Sequence, residues 1–210
     1  RDVSDRIEHD DPWGWMVMEV VAGENYGDFI VRSGSHTWAD FDAYDHGFGA
    51  ESGLHFQVSV APLVEDVESW ITEEDTANSR LPGDAEWPDI NLIEVITYHV
   101  KPGQQQRFDE LVGTVHGAIE ASDWPVRYAW VDHVAGLGGP RKTLAIFFED
   151  WAGFEEPETP MYEMLQDELG EDEAQSVMEE FGQTYRYVES SILRWRRGLS
   201  VPPPDMRGEM

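Results

Sequence analysis

The sequence predicts an α+β fold: two tandem β-α-β-β-α-β units with antiparallel sheets, the first incomplete at its N-terminus. Three observations predict it. Residues 92–103 read as a buried strand that turns at once into a helix. Hairpin, helix and strand signals follow in that order. The chain also repeats itself at a spacing of 113 residues.

In the first copy, residues 13–22 and 28–36 read as a hairpin and 38–46 as a short helix. Residues 53–60 predict a strand, because Leu54, Phe56, Val58 and Val60 alternate with His55, Gln57 and Ser59. Val64, Val67 and Ile71 are spaced for a helix over 64–73. Residues 74–89, rich in Asp, Glu, Pro and Gly, predict a linker.

The second copy opens at residues 92–100, which are mostly β-branched, aliphatic or aromatic. Both faces of that strand are apolar enough to be covered. Pro102 cannot extend a ladder but suits a first helical turn. Phe108, Leu111, Val112, Val115 and Ile119 then fall on one helical face. Residues 125–134 and 142–150 predict a hairpin around the glycine-rich turn at 136–140. Helical spacing returns at Met161, Leu165 and Leu169, and again from Ala174 to Tyr185. Residues 188–196 predict the last strand, completing the ferredoxin-like order. The tail from Val201, with three consecutive prolines, cannot continue a sheet. The domains are then 1–73, a linker at 74–89, 90–197, and an extended tail at 198–210.

The repeat overlays residues 10–41 on 123–154. Asp10, Pro12, Val21, Ala22, Gly23, Trp38, Ala39 and Phe41 each meet an identical residue. Eight identities in 32 positions compare with about two for unrelated chains of ordinary composition. The same overlay places Arg1–His9 on a helix end, so a short helix is expected there.

Glu94, Thr97, Tyr98, Lys101, Pro102 and Gly103, at this spacing, resemble the opening strand of the NIPSNAP family. That family belongs to the ferredoxin-like dimeric α/β-barrel superfamily, with antibiotic-biosynthesis monooxygenases and haem-degrading enzymes. The resemblance implies two sheets closing an α/β barrel, within this chain or across a homodimer. It implies a small apolar or aromatic ligand in that barrel, and a cofactor-independent monooxygenase-like activity. The alternatives are a non-catalytic assembly module with a filled barrel, or a haem-binding protein.

Composition narrows the partners. The chain has 210 residues, 43 acidic against 14 basic, and a net charge of −29. Such a surface repels phosphate backbones and anionic membranes, so neither nucleic acid nor membrane is expected as a partner. Only Lys101 and Lys142 are lysines. An acidic, lysine-poor surface suits high salt, so the unfolding midpoint should rise between low and molar chloride as self-repulsion is screened. An unchanged midpoint would count against salt adaptation. With no Cys, disulfides and thiolate chemistry are excluded.

No Ser-His-Asp order, phosphate loop or dinucleotide fingerprint occurs, and the seven His show no metal-ligand spacing. Site candidates therefore come from strand alternation. Ile93, Val95, Thr97, Ala129 and Val131 are expected to face the helices. The opposite face then carries Glu94, Tyr98, Tyr128, Trp130 and Asp132, with His55 from the first copy. On this reading Glu94 and His55 are the catalytic candidates. Tyr98, Tyr128, Trp130 and Asp132 hold the ligand, and no metal site is expected. Each has a structural counter-reading: an ion-paired Glu94, a packed His55, rings that fill a core.

Overall fold

The computed structural model describes residues 11–136 and 138–201. The short helix expected at Arg1–His9 and the tail beyond Val201 lie outside them. Twelve principal elements follow in order: β1 (Met16–Gly23), β2 (Phe29–Arg32), α1 (Trp38–Asp45), α2 (Phe48–Ser59), β3 (Ile71–Glu74), β4 (Leu92–Val100), α3 (Gln105–Ser122), β5 (Tyr128–Ala135), β6 (Arg141–Phe148), α4 (Met161–Leu169), α5 (Glu171–Thr184) and β7 (Tyr185–Trp195). The chain divides into two compact units. One comprises the described parts of residues 1–19, 28–68 and 195–210; the other comprises 20–27 and 69–194.

In the first unit, the Met16–Glu19 end of β1 pairs antiparallel with β2. Trp15 bridges Val201, so the start of the predicted tail adds to a ladder. Thr37 caps α1 and closes a capping box with Asp40. A buried Asp11 carboxylate accepts from Trp13 N–H at 2.8 Å and Trp15 Nε1 at 2.9 Å. Trp13 itself lies sandwiched between His36 and Tyr44.

Residues 53–60 do not form the expected strand; residues 53–59 belong to α2 and Val60 caps its C-terminal end. A strand needs a neighbouring edge for its N–H and C=O groups, whereas a helix satisfies them internally. No strand runs alongside this segment among the described residues, and the alternating Leu54 and Val58 stay exposed. The helix expected over 64–73 is likewise absent. Val64 and Val67 find nothing to bury against, and Ile71–Glu74 take the free edge of β5 instead.

The second unit orders its strands β7-β4-β6-β5-β3, and the Val20–Gly23 end of β1 adds beside β7. The β4–β6, β4–β7, β5–β6 and β3–β5 pairs are antiparallel. The helix after Pro102 forms as expected: Phe108, Leu111, Val112, Ala118 and Ile119 are its buried positions. Asp123 ends it in the left-handed conformation. Helices α3, α4 and α5 share one core with β5, built on Phe108, Val112, Tyr128, Trp130, Met164, Leu165 and Ala174.

Residues 75–80 run beside β5. Asp75 N–H donates to the Trp130 carbonyl, and Arg80 exchanges backbone bonds with Tyr128. The Arg80 side chain then clasps Asp123 and the Trp124 carbonyl at the end of α3. Gly23 and Gly136, matched in the repeat, both take positive φ where a second backbone passes close. A Cβ on Gly23 would collide with Ser190 O, and one on Gly136 would meet Ser69 O at 2.7 Å.

Candidate ligand site on the helix-free face

Alternation along β4, β5 and β6 sorts the sheet into two faces, as expected, but the expected assignment is reversed. Tyr98, Tyr128 and Trp130 point to the helices and fill the core. The Tyr98 ring lies 5.5 Å from Phe108, 5.5 Å from Phe181 and 5.6 Å from Trp130. The reason is volume. Large rings from both layers fill the gap between sheet and helices. The aliphatic row Ile93, Val95, Ala129 and Val131 consequently lies on the other face.

Glu94 and Asp132 share the helix side with these rings. Burial raises the Glu94 carboxyl above its usual value, opposed by a hydrogen bond from Ser190. Burial also raises Asp132, against the pull of Lys142. Burial pushes both tyrosine hydroxyls, Tyr98 and Tyr128, up to about 12. The Tyr128 hydroxyl is already engaged, 2.7 Å from His116 Nδ1. His55 lies in α2 of the first unit and not on a strand.

The helix-free face carries a different set. Thr97 and His99 of β4 stand opposite Thr143 and Arg141 of β6. Asp132 pairs with Lys142, so the register carries the next residue, His133, to the flank of Arg141. Glu189 and Tyr187 of β7 close the other flank. His99 stacks on Tyr187 at 3.9 Å. His133 Nε2 lies 2.9 Å from Thr143 Oγ1, which lies 2.9 Å from Thr97 Oγ1. Burial lowers the His133 pKa, and the Arg141 charge and His99 lower it further, so its imidazole is neutral near pH 7.

Three buried polar atoms here lack a hydrogen bond among the described residues: His99 Nε2, His133 Nδ1 and Arg141 Nε. They belong to adjacent positions on three neighbouring strands. His99 Nε2 lies 3.1 Å from Glu189 Oε1, an ion pair when protonated, but outside hydrogen-bond alignment. Sequence reading missed all three residues. The usable signal was parity: Thr97 and His99, and Arg141 and Thr143, share a face by spacing of two.

A cleft of about 210 Å³ reaches this corner, lined by Val100, Phe108, Asp132, His133, Arg141 and Lys142 among others. Its helix-side wall is an ion cluster. The buried Lys142 ammonium lies 2.7 Å from Asp109, 3.1 Å from Asp75 and 3.5 Å from Asp132. Burial acts to lower the Lys142 pKa, but the bonds to Asp109 and Asp75 outweigh it and the pKa is raised. This amine is therefore held as a cation and does not act as a nucleophile at neutral pH. A larger hollow of about 400 Å³ lies over Leu169–Glu173, a single helix junction with no converging chemistry.

Two solved structures share this architecture. A crystal structure of an anthrone oxidase-like protein matches with a TM-score of 0.50 at 13% identity, covering 91% of this chain and 81% of that one. A candidate monooxygenase from Lactobacillus acidophilus NCFM matches with a TM-score of 0.50 at 11% identity, covering 96% and 84%. The chain has their ferredoxin-like α/β-barrel fold. No family model matches the sequence, and no curated protein does.

Proposed function

We propose that the protein binds a small apolar or aromatic compound on the helix-free face of its second unit and oxidises it without a cofactor, as a monooxygenase. One observation carries the reading: three buried polar atoms without a hydrogen bond converge at one corner of a sheet with a monooxygenase-like fold. The NIPSNAP-like start of β4, the 113-residue repeat and its two matched glycines fit descent from a duplicated barrel unit.

The chemistry follows from His133. With Nε2–H donating to Thr143, and Thr143 donating to Thr97, Nδ1 keeps a free lone pair. A neutral imidazole so placed accepts a proton from an acidified C–H, and Arg141 stabilises the enolate that forms. The carbanion reduces dioxygen. Overall a methylene and O2 become a carbonyl and water, so no other reductant enters. Glu94 stands on the far face of the sheet from this corner, and the role expected for it passes to His133.

The cleft is smaller than the roughly 300 Å³ of an ordinary ligand pocket, which favours the second reading, a non-catalytic module. Oxygen uptake separates the two. With anthrone, the compound that gives one structural relative its name, uptake should exceed the uncatalysed rate. His133→Asn should lower kcat about 100-fold or more. No uptake with anthrone, or an unchanged rate in His133→Asn, would remove the enzymatic reading.

A further inference from the structure

The charge at this corner is as informative as its unpaired atoms. The protein carries 43 carboxylates, yet Arg141 has none within 4 Å among the described residues. Four other basic side chains in the second unit are taken: Arg80 by Glu120 and Asp123, Arg107 by Glu110 and Glu180, Arg127 by Glu86, and Lys142 by three aspartates. Lys101, Arg186 and Arg194 pair with no carboxylate among the described residues either, but Arg141 is set apart by its buried Nε without a hydrogen bond. An Arg half-buried in so acidic a chain, its Nε desolvated and unpaired, is an unmet demand for an acceptor. His99 beside it is 8% exposed, and its Nε2 lacks an aligned partner.

The neighbouring groups define what fits. Glu189 is the carboxylate at this corner, and it lies against His99. The cleft's acids, Asp109 and Asp132, sit on the Lys142 side of the sheet, where the ammonium offsets them. His133 brings no charge near neutral pH, and Thr97 and Thr143 offer only hydroxyls. The guanidinium disfavours a metal ion beside it and suits a planar anionic oxygen, for which an Arg fork is built. The aliphatic and small residues further along the face, Val95, Ala129, Val131 and Ala145, suit the apolar remainder of such a molecule.

We propose that Arg141, with His99 beside it, forms an oxyanion subsite, so that the ligand of the second unit is an aromatic or apolar compound bearing a carboxylate or an ionised hydroxyl. This deepens the reading above and rests on it for the ligand's apolar part, but binding tests it without any turnover.

The probes are benzoate and 4-nitrophenolate, each against a neutral counterpart, benzamide and 4-nitroanisole, at fixed ionic strength by titration calorimetry. Both anions should bind at least 10-fold more tightly than their counterparts. If one anion alone does so, that one names the oxygen type, carboxylate or phenolate. Arg141→Gln should weaken the anions about 10-fold or more and leave the neutral compounds within 2-fold, with Arg141→Lys in between because it keeps charge but loses the fork. His99→Gln provides a second variant should Arg141→Gln fail to fold. Equal binding of anions and neutral compounds, no binding of either anion, or unchanged anion affinity in a folded variant would overturn the subsite. The two proposals fail separately. Anion binding without oxygen uptake sinks the oxygenase and leaves the subsite; uptake with neutral compounds alone does the reverse.

Discussion

Lys142→Met should destabilise the second unit by about 3 kcal/mol, the low end of what losing one partner of a buried ion cluster removes. The Lys142 side chain is 4% exposed and serves three carboxylates at once. Removing it leaves Asp75, 15% exposed, beside Asp109 and Asp132 with no cation between them. The partners' surroundings set the balance. Burial acts to raise Asp75, but bonds from Asn78 and Lys142 outweigh it and hold its pKa low. Burial raises Asp132 beyond what Lys142 can offset. The signs then differ. Asp75 stabilises the fold above its unfolded pKa, and that contribution is lost as pH falls through its lower folded value. Asp132, raised, works in the opposite direction and opposes folding at neutral pH. Asp132→Asn should therefore raise the unfolding midpoint slightly, and Asp75→Asn with Asp132→Asn should recover most of the loss in Lys142→Met. Urea unfolding at fixed salt measures all of these. A loss below about 1 kcal/mol in Lys142→Met would mean that the cluster is solvated enough to be neutral in the fold.

How much of this was legible in the sequence depends on where each pattern gets its contrast. Helix α3 was plain, because Phe108, Leu111, Val112 and Ile119 repeat at helical spacing against a polar remainder, and all four are buried. Strand β4 and its partner hairpin were plain for the same reason at a period of two. The facing of the sheet was not. Both faces of β4 carry large apolar residues, so Ile93 and Tyr98 give no contrast and aliphatic content points the wrong way. Residues 53–60 failed differently: their alternation is a strand pattern, but a strand also needs an edge to join, and the sequence says nothing of edges. The corner of His99, His133 and Arg141 is a product of register across three strands. Nothing local joins these residues, so only the pairing of Thr97 with Thr143 and of Asp132 with Lys142 reveals them.

Phe108→Ala should cost about 4 kcal/mol, and it tests the reversal of the faces directly. Phe108 is fully buried at the start of α3. Its ring meets Phe181 at 4.8 Å, Tyr98 at 5.5 Å and Trp130 at 5.7 Å, the last two edge-on. Truncation removes the transfer free energy of a phenyl ring and leaves a cavity that three stiff rings, each anchored in a different element, cannot collapse to fill. The edge-on contacts add about 0.5–1.5 kcal/mol each when isolated, though within one cluster they do not sum. Phe108→Leu keeps most of the volume and should cost clearly less. If Tyr98 and Trp130 were instead the walls of a ligand site, a smaller residue at 108 would enlarge that site, and an apolar probe such as benzene would bind the variant and restore its midpoint only by occupying a cavity already open in the parent. The packed cluster predicts that the parent shows no stabilisation by benzene while Phe108→Ala does. Equal stabilisation of parent and variant would return the aromatic residues to the ligand site.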